Sequence, residues 1–571
     1  MNEPTPPAQE SAGDLLTRAR RWRDADPDPA TRAEVDALLA AGTPDARRQL
    51  AELFGTRLHF GTAGIRGRLG PGPGRMNQLL CQQVAAGIAS VCLAEVTDAA
   101  RRGIVVAHDA RHGSSRFASG IESTLLGAGL DVHRIDGPAP TPLGAFAVRH
   151  LGAAAGIVVT ASHNPPNDNG IKVYWSDGAQ IAPPLDTRIA EAVTRTTPGD
   201  TDHPPVGRSG ALHELGSVEP SNPLVRAYLR ELAAIAATAA TDTPVIAHTS
   251  LHGVGGDLLE LTLEHFGYDR VSAVAAQREP DPDFPTVAFP NPEEPGAMDE
   301  LLGLAASIGA DLALANDPDA DRLAAAVPRP GGGWKVLTGD ELGALLAVHL
   351  LEATEHIDNR LVATTVVSSR LLAAIAGSRG VHFEETLTGF KWLCRPALEH
   401  PEYHQVLIYE EALGYAIGPG SRDKDGIAAA LATADMVRGL GEAGRTVLDV
   451  LDDLARHHGA HVTHNGSVWL REDPPVPGPA AIASGLRSDP PRRLGGIAVT
   501  SVEYPAEDVA RLWMEDRTRV VLRPSGTEPK FKYYCEAIEA VDPREPVDTA
   551  RARAVARLEG ITSELQTLLS G

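Results

Sequence analysis

The feature that most limits what this chain can become is a recurring unit: a short apolar run ends in a polar turn, and a helical pattern follows. Residues 103–107 (GIVVA) run into His108-Asp109-Ala110-Arg111, and a 3.6-residue apolar period then covers 115–128. Residues 156–160 (GIVVT) lead into Ala161-Ser162-His163-Asn164-Pro165, and short apolar runs recur at 244–248, 311–315 and 361–367. Strands alternating with helices predict α/β units on mostly parallel sheets. Residues 30–39 and 45–54 show helical spacing behind a polar, Pro-dotted lead. The C-terminal part carries more strand than helix up to Glu536 and closes on a helical segment over 546–569. Residues 197–221, rich in Pro, Gly and Asp, are expected to be a linker, and 328–333 (PRPGGG) a junction or an exposed hairpin. At roughly 100–200 residues per domain, 571 residues predict three to five domains.

Composition narrows the partners. An apolar share of 43% supplies several cores and excludes a disordered or fibrous chain. The 52 basic and 75 acidic residues leave a net charge of −23, which repels nucleic acid and anionic lipid. Neither is expected as a partner, and an anionic substrate needs a local basic pocket. No apolar run approaches the ~18–20 residues of a membrane span, and the first residues lack the pattern of a signal peptide. Cys81, Cys92, Cys394 and Cys535 are far apart and form no CxxC, which speaks against a zinc site or a disulfide framework. A cytoplasmic protein, monomeric or a small homo-oligomer, is expected. Only six basic residues are lysines: Lys172, Lys335, Lys391, Lys424, Lys530 and Lys532. Lysine is a compact charge that can lose its proton, which arginine does not. Lys172, Lys391 and Lys530 fall inside the motifs below.

Four constellations suit chemistry. In Thr160-Ala161-Ser162-His163-Asn164-Pro165 a serine hydroxyl sits at a strand's C-terminal edge, where α/β folds place ligands. Neither G-x-S-x-G nor S-x-x-K is satisfied, so Ser162 is no obvious acyl-transfer nucleophile. In Asp317-Pro318-Asp319-Ala320-Asp321-Arg322, alternate carboxylates can converge on one hard divalent cation. The glycine and glutamate of a calcium loop are missing, so a magnesium site with room for a phosphate oxygen fits better. In Arg523-Pro524-Ser525-Gly526-Thr527-Glu528-Pro529-Lys530, small residues between cations let N–H groups and hydroxyls surround a phosphate. The fourth pairs Thr388-Gly389-Phe390-Lys391-Trp392 with Tyr409-Glu410-Glu411-Ala412-Leu413-Gly414-Tyr415. Vicinal carboxylates with aromatics suit a sugar. Singly each has an ordinary explanation as a turn or a solvated face; jointly they describe phosphoryl transfer on a phosphorylated sugar.

With 61–67 (GTAGIRG), 160–165 (TASHNP), 317–322 (DPDADR) and 523–530 (RPSGTEPK) in this order, the chain resembles the α-D-phosphohexomutase superfamily of phosphoglucomutases and phosphomannomutases. Residues 169–175 (NGIKVYW), the TGFKW run and EEALGY resemble its long branch, which includes phosphopentomutases and a glucose-1,6-bisphosphate synthase. The resemblance implies an α/β fold of four domains around a central cleft, three related α/β domains with mixed sheets and a C-terminal α+β domain. The implied parts are a helical extension (1–55), a phosphoserine domain (56–215), a metal-binding domain (216–328), a sugar-binding domain (329–455) and a phosphate-binding domain (456–571). It implies a phosphoserine at Ser162, with magnesium held by Asp317, Asp319, Asp321 and Ser162. Arg66, His163 and Lys172 would stabilise charge or move a proton. Arg322, Lys391 and Glu410 would meet the sugar, and Arg523, Ser525, Gly526, Thr527 and Lys530 its phosphate. Ala412 stands where the sugar loop usually carries serine, so that hydroxyl is lost or supplied elsewhere. The implied activity interconverts glucose or mannose 1-phosphate with the 6-phosphate, with a catalytic sugar bisphosphate as activator. The alternatives are a phosphopentomutase, a bisphosphate synthase and a metal-dependent sugar phosphatase, the last of which would release inorganic phosphate.

Overall fold

The computed structural model describes residues 12–59, 64–196, 209–236, 243–469, 479–524 and 530–570. The described residues open with three helices, Ala12–Ala25, Pro29–Ala41 and Pro44–Phe54. Asp28 and Thr43 cap the second and third, each followed by a proline whose missing N–H costs nothing at that position. The first helix lies in the stretch read as a polar lead. Its apolar stripe (Leu15, Leu16, Ala19, Trp22) is interleaved with arginines and packs on Val35, Leu50 and Phe54.

Four sheets follow. The first holds β1 (Ile65–Arg68), β2 (Ile104–His108), β3 (Val132–Arg134), β4 (Ala155–Val159), β5 (Asp168–Trp175) and β6 (Leu212–Glu214), in spatial order 1-5-4-2-3-6. The second holds β7 (Ile246–Thr249), β8 (Val271–Ala273), β9 (Leu312–Asn316), β10 (Leu323–Pro328) and β11 (Trp334–Val336), in order 11-10-9-7-8. The third holds β12 (Arg360–Thr365), β13 (His382–Thr386), β14 (His404–Glu410) and β15 (Gly414–Ile417), in order 13-12-14-15. The fourth holds β16 (Ala460–Trp469), β17 (Arg493–Leu494), β18 (Ile497–Ala506), β19 (Val509–Met514), β20 (Arg519–Pro524) and β21 (Lys530–Glu539), in order 16-21-20-19-18-17. Residues 328–333 are the turn of the β10–β11 hairpin, where Pro328 faces Trp334, so the second sheet continues past the boundary expected at 328. Residues 209–221 of the expected linker include β6; 197–208 lie outside the described residues.

The first three sheets share a four-strand core. In each, two strands pair in parallel on either side of a first one, and a fourth returns antiparallel beside the third: 3-2-4-5, 8-7-9-10 and 13-12-14-15. The sheets are therefore mixed rather than mostly parallel, as helical crossovers join the parallel strands and a short turn makes the last pair. This repetition positions the site. The turns β4–β5, β9–β10 and β14–β15 carry Ser162, the three aspartates and the glutamate pair. Each contains one non-glycine residue in the left-handed region: Ser162 (φ 53°), Ala320 (φ 57°) and Leu413 (φ 63°). Such residues are uncommon and gather where a turn aims a side chain.

The fourth domain differs. Its sheet is wholly antiparallel, and the helix Val547–Ser570 covers one face through Ala554, Leu558, Ile561 and Leu565. Among the described residues no helix is long and apolar enough to cross a membrane.

Candidate active site

Ser162 is buried and its hydroxyl donates to Asp317 Oδ2 at 2.6 Å, across from one sheet to the next. Its N–H donates to Thr160 Oγ1 (2.9 Å), and its Oγ lies 3.1 Å from His163 Nδ1. Burial, then the Arg322 and Arg66 charges, hold His163 well below the usual imidazole range, so the ring is neutral. The strained turn is clamped from outside by Arg111, whose guanidinium donates to the carbonyls of Ser162, Asn164, Pro165 and Asp168 at 2.5–3.2 Å. Asp109, two residues back, steadies Arg111 by accepting its N–H (3.0 Å) and Ser114 Oγ (2.5 Å). Arg66 reaches Asn164 Oδ1 at 3.5 Å while its Nε is buried without a partner. Gly64 before it has φ +93°, and a Cβ there would stand 1.9 Å from the Ile171 carbonyl.

The aspartate loop crosses under this serine. Asp317, Asp319 and Asp321 have no exposed surface, and each offers an oxygen within 4.8 Å of the others. Lys172 Nζ donates to Asp319 Oδ2 (2.6 Å) and to Asp321 Oδ2, and Lys424 Nζ stands 3.3 Å from Asp321 Oδ2. Burial pushes Asp319 and Asp321 up, but the lysine charges and hydrogen bonds outweigh it, and both end below the usual carboxylate range. Asp317 has no lysine: burial, then its two neighbours, push it up to about 7. Burial alone would lower the pKa of Lys172, but the two aspartates prevail and raise it. With the lysines on the Oδ2 atoms, Asp319 Oδ1 and Asp321 Oδ1 are buried without a hydrogen-bond partner. Such oxygens are costly unless something binds them, and three hard carboxylates around them fit a divalent cation. Thr141 Oγ1 fixes Asp319 from the first domain at 2.7 Å. Gly253 allows the loop its approach, since a Cβ there would lie 2.2 Å from Pro318 Cα.

The third hairpin adjoins through Arg322. Its backbone bridges to Gly414, and its guanidinium lies 3.9–4.0 Å from Asp321 and Asp317 and 3.6 Å from Glu293. Burial raises Glu410, opposed by Lys424 and Arg322; Glu411 accepts from Ser368 Oγ at 3.1 Å and Thr365 Oγ1 at 3.3 Å. Arg523, at the end of β20, donates to Tyr534 OH (3.1 Å), and its Nε is buried without a partner. Burial would lower the pKa of Arg523, but Tyr534 and then the glutamate pair outweigh it and raise it. Lys530 Nζ lies 4.9 Å over the Trp469 ring. Ser525, Gly526 and Thr527 lie outside the described residues, as do 61–63.

Residues 57–199, 226–332 and 338–457 match, in turn, the α/β/α domains I, II and III of the phosphoglucomutase/phosphomannomutase family. The chain belongs to the α-D-phosphohexomutase superfamily. Within it, the phosphopentomutase of Mus musculus is 33% identical, covering 93% of this chain and 92% of its own. A probable phosphomannomutase of Haemophilus influenzae is 36% identical over 82% of this chain and 94% of its own. A solved structure of a putative phosphomannomutase from Thermus thermophilus shares the fold at a TM-score of 0.63 and 24% identity, over 88% of this chain and 99% of that one.

Against this superfamily frame, Ser162, His163, Arg66, Lys172, the three aspartates and Arg322 come together, and Glu410 and Arg523 adjoin them. Lys391 does not join the glutamates directly: its Nζ lies 3.5 Å from Asp186 of the first domain and 5.7 Å over Trp392. Sequence reasoning missed Arg111, Lys424 and the part played by Glu411. Arg111 follows the end of β2 by three residues, as Ser162 does that of β4, but nothing in its own sequence neighbourhood marks it as a clamp. Lys424 had the scarcity of lysine as its signal, in an Asp-Lys-Asp turn before a helix.

Proposed function

We propose that this phosphosugar mutase moves a phosphoryl group between two oxygens of one sugar through a phosphoserine at Ser162. The observation that carries the reading is the 2.6 Å contact of Ser162 Oγ with Asp317, in a left-handed turn aimed at three buried carboxylates. Asp317, Asp319 and Asp321, with an oxygen of the serine, would hold magnesium, which supplies neutralising charge to the transferring phosphoryl group. Arg111 keeps the serine turn rigid, so the hydroxyl does not have to be ordered in each turnover. Arg66 and Arg322 present guanidinium groups to phosphoryl oxygens from two sides. As the bond from phosphorus to Ser162 Oγ breaks and one to the sugar oxygen forms, neutral His163, its Nδ1 3.1 Å from that Oγ, is placed to take the proton the sugar hydroxyl gives up and pass it to the departing serine oxygen.

At the other end of the cleft Arg523, with Ser525, Gly526, Thr527 and Lys530, would hold the phosphate that stays on the sugar, while Glu410 and Glu411 accept ring hydroxyls. The bisphosphate so formed turns over and returns its other phosphate to Ser162, and the same bisphosphate added from solution serves as activator. Glucose and mannose phosphates are the first reading of the sugar. A pentose, ribose 1-phosphate to 5-phosphate, is the second, favoured by the full-length likeness to a phosphopentomutase.

The test is turnover with magnesium on glucose, mannose, ribose and deoxyribose 1-phosphates, with and without sugar bisphosphate, while inorganic phosphate is monitored. Isomerisation without phosphate release supports a mutase, and the ranking assigns the sugar. Stoichiometric phosphate release supports a phosphatase.

A further inference from the structure

A second buried set of charges lies where the third and fourth domains meet, outside the chemistry described so far. Glu536, on β21, has no exposed surface; it accepts from Ser369 Oγ (2.7 Å), Arg370 N–H (2.9 Å) and Arg370 Nε (2.6 Å) and lies 2.9 Å from His461 Nδ1. Arg519, on the neighbouring β20, is 1% exposed; it stands 3.4 Å from Glu536 Oε2 and donates to the Ser368 carbonyl. Two strands of the fourth domain thus grip the turn that follows β12 in the third.

On its other side that turn meets the glutamate pair. Ser368 Oγ donates to the Glu411 carboxylate (3.1 Å) and accepts the Glu411 N–H (3.2 Å). Val366 and Val367 pack on Val509, Val521 and Tyr534, and Tyr534 OH accepts from Arg523. One short turn therefore touches the glutamate pair at one end and, through one ring, the arginine of the phosphate cradle at the other. A buried ion pair adds little net stability over apolar packing, which the valines already provide here. What directional hydrogen bonds add is a defined placement.

Resting on the mutase reading above, we infer that Arg519 and Glu536 are positioning residues for the sugar: they set the turn at 366–370 so that Glu411 and Arg523 span one phosphosugar, with Ser368 as the link to Glu411. They act on recognition and leave the chemistry at Ser162 alone.

The experiment measures kcat and KM of the full chain for its best sugar 1-phosphate, at saturating bisphosphate and magnesium, in Ser368→Ala, Ser368→Thr and Glu536→Gln. Loss of a hydrogen bond to a charged group predicts a KM raised ~10-fold with kcat within ~2-fold. Ser368→Thr, which keeps the hydroxyl, is expected to restore KM, a rescue that a general loss of packing does not give. Circular dichroism and Tm identify a variant that fails to fold; if Glu536→Gln does, the serine pair decides alone. Unchanged KM in folded Ser368→Ala, or equal falls in kcat and kcat/KM, overturns the inference. A wild-type chain that does not isomerise any sugar phosphate overturns the mutase reading instead, so the two failures are distinct.

Discussion

The β9–β10 and β14–β15 turns occupy the same place in two sheets of the same design, yet they differ sharply in burial and in the charges around them. The first is sealed: its three aspartates have no exposed surface, and Lys172, Lys424 and Arg322 converge on them. The second is half open: Glu410 and Glu411 are partly exposed, and the Glu411 carboxylate accepts from the hydroxyls of Thr365 and Ser368. Taking charges out of water is tolerated only with strong compensation, which the aspartate loop has in its cations and in two oxygens left for a metal. A carboxylate that must accept and release a turning sugar cannot be held so tightly. On the proposed function, the same hairpin would serve reaction where it is buried and recognition where it is not.

The largest effect that can break this comparison belongs to Lys172. Lys172→Met leaves Asp319 and Asp321 without their shared cation, and a loss of ~3–5 kcal/mol in stability is expected, read as a denaturant midpoint. Lys391→Met, which removes one 3.5 Å pairing with Asp186, is expected to cost far less. Next comes metal removal: chelation should lower Tm and magnesium restore it, by ~2.7 kcal/mol at a hundredfold excess over Kd. Asp319→Asn should abolish that shift and Glu411→Gln should keep it. An effect of similar size is expected of Arg111→Ala, which frees four carbonyls of the serine turn; a displacement of the nucleophile near 1 Å predicts kcat down ~100-fold with KM held. Least is expected of Glu411→Gln, with KM up ~10-fold and kcat retained. If kcat falls there as far as in Arg111→Ala, the division between reaction and recognition fails.

Much of this was legible in the amino-acid order. Strand ends at His108, Val159, Asn316 and Thr365 stand within two residues of the runs read from apolar pattern, because strands buried on both faces leave that signature. Ser162 and the aspartates were legible as local motifs. Arg111 was not, since four carbonyls around one guanidinium are a product of tertiary folding and leave no spacing rule. The first helix escaped because its arginines mask a stripe that only its packing on Val35, Leu50 and Phe54 makes apolar. Lys391 was placed with the sugar on the strength of its motif, while its Nζ lies beside Asp186 in another domain.

The central claim is that Ser162 carries the phosphoryl group, and mass spectrometry of the intact chain and its peptides after incubation with a sugar bisphosphate and magnesium tests it most directly. One phosphoryl group on Ser162, removed on adding sugar 1-phosphate and absent from an inactive Ser162→Ala chain, is the expected result. Isomerisation that persists in Ser162→Ala, or a phosphoryl group found on another residue, would contradict it.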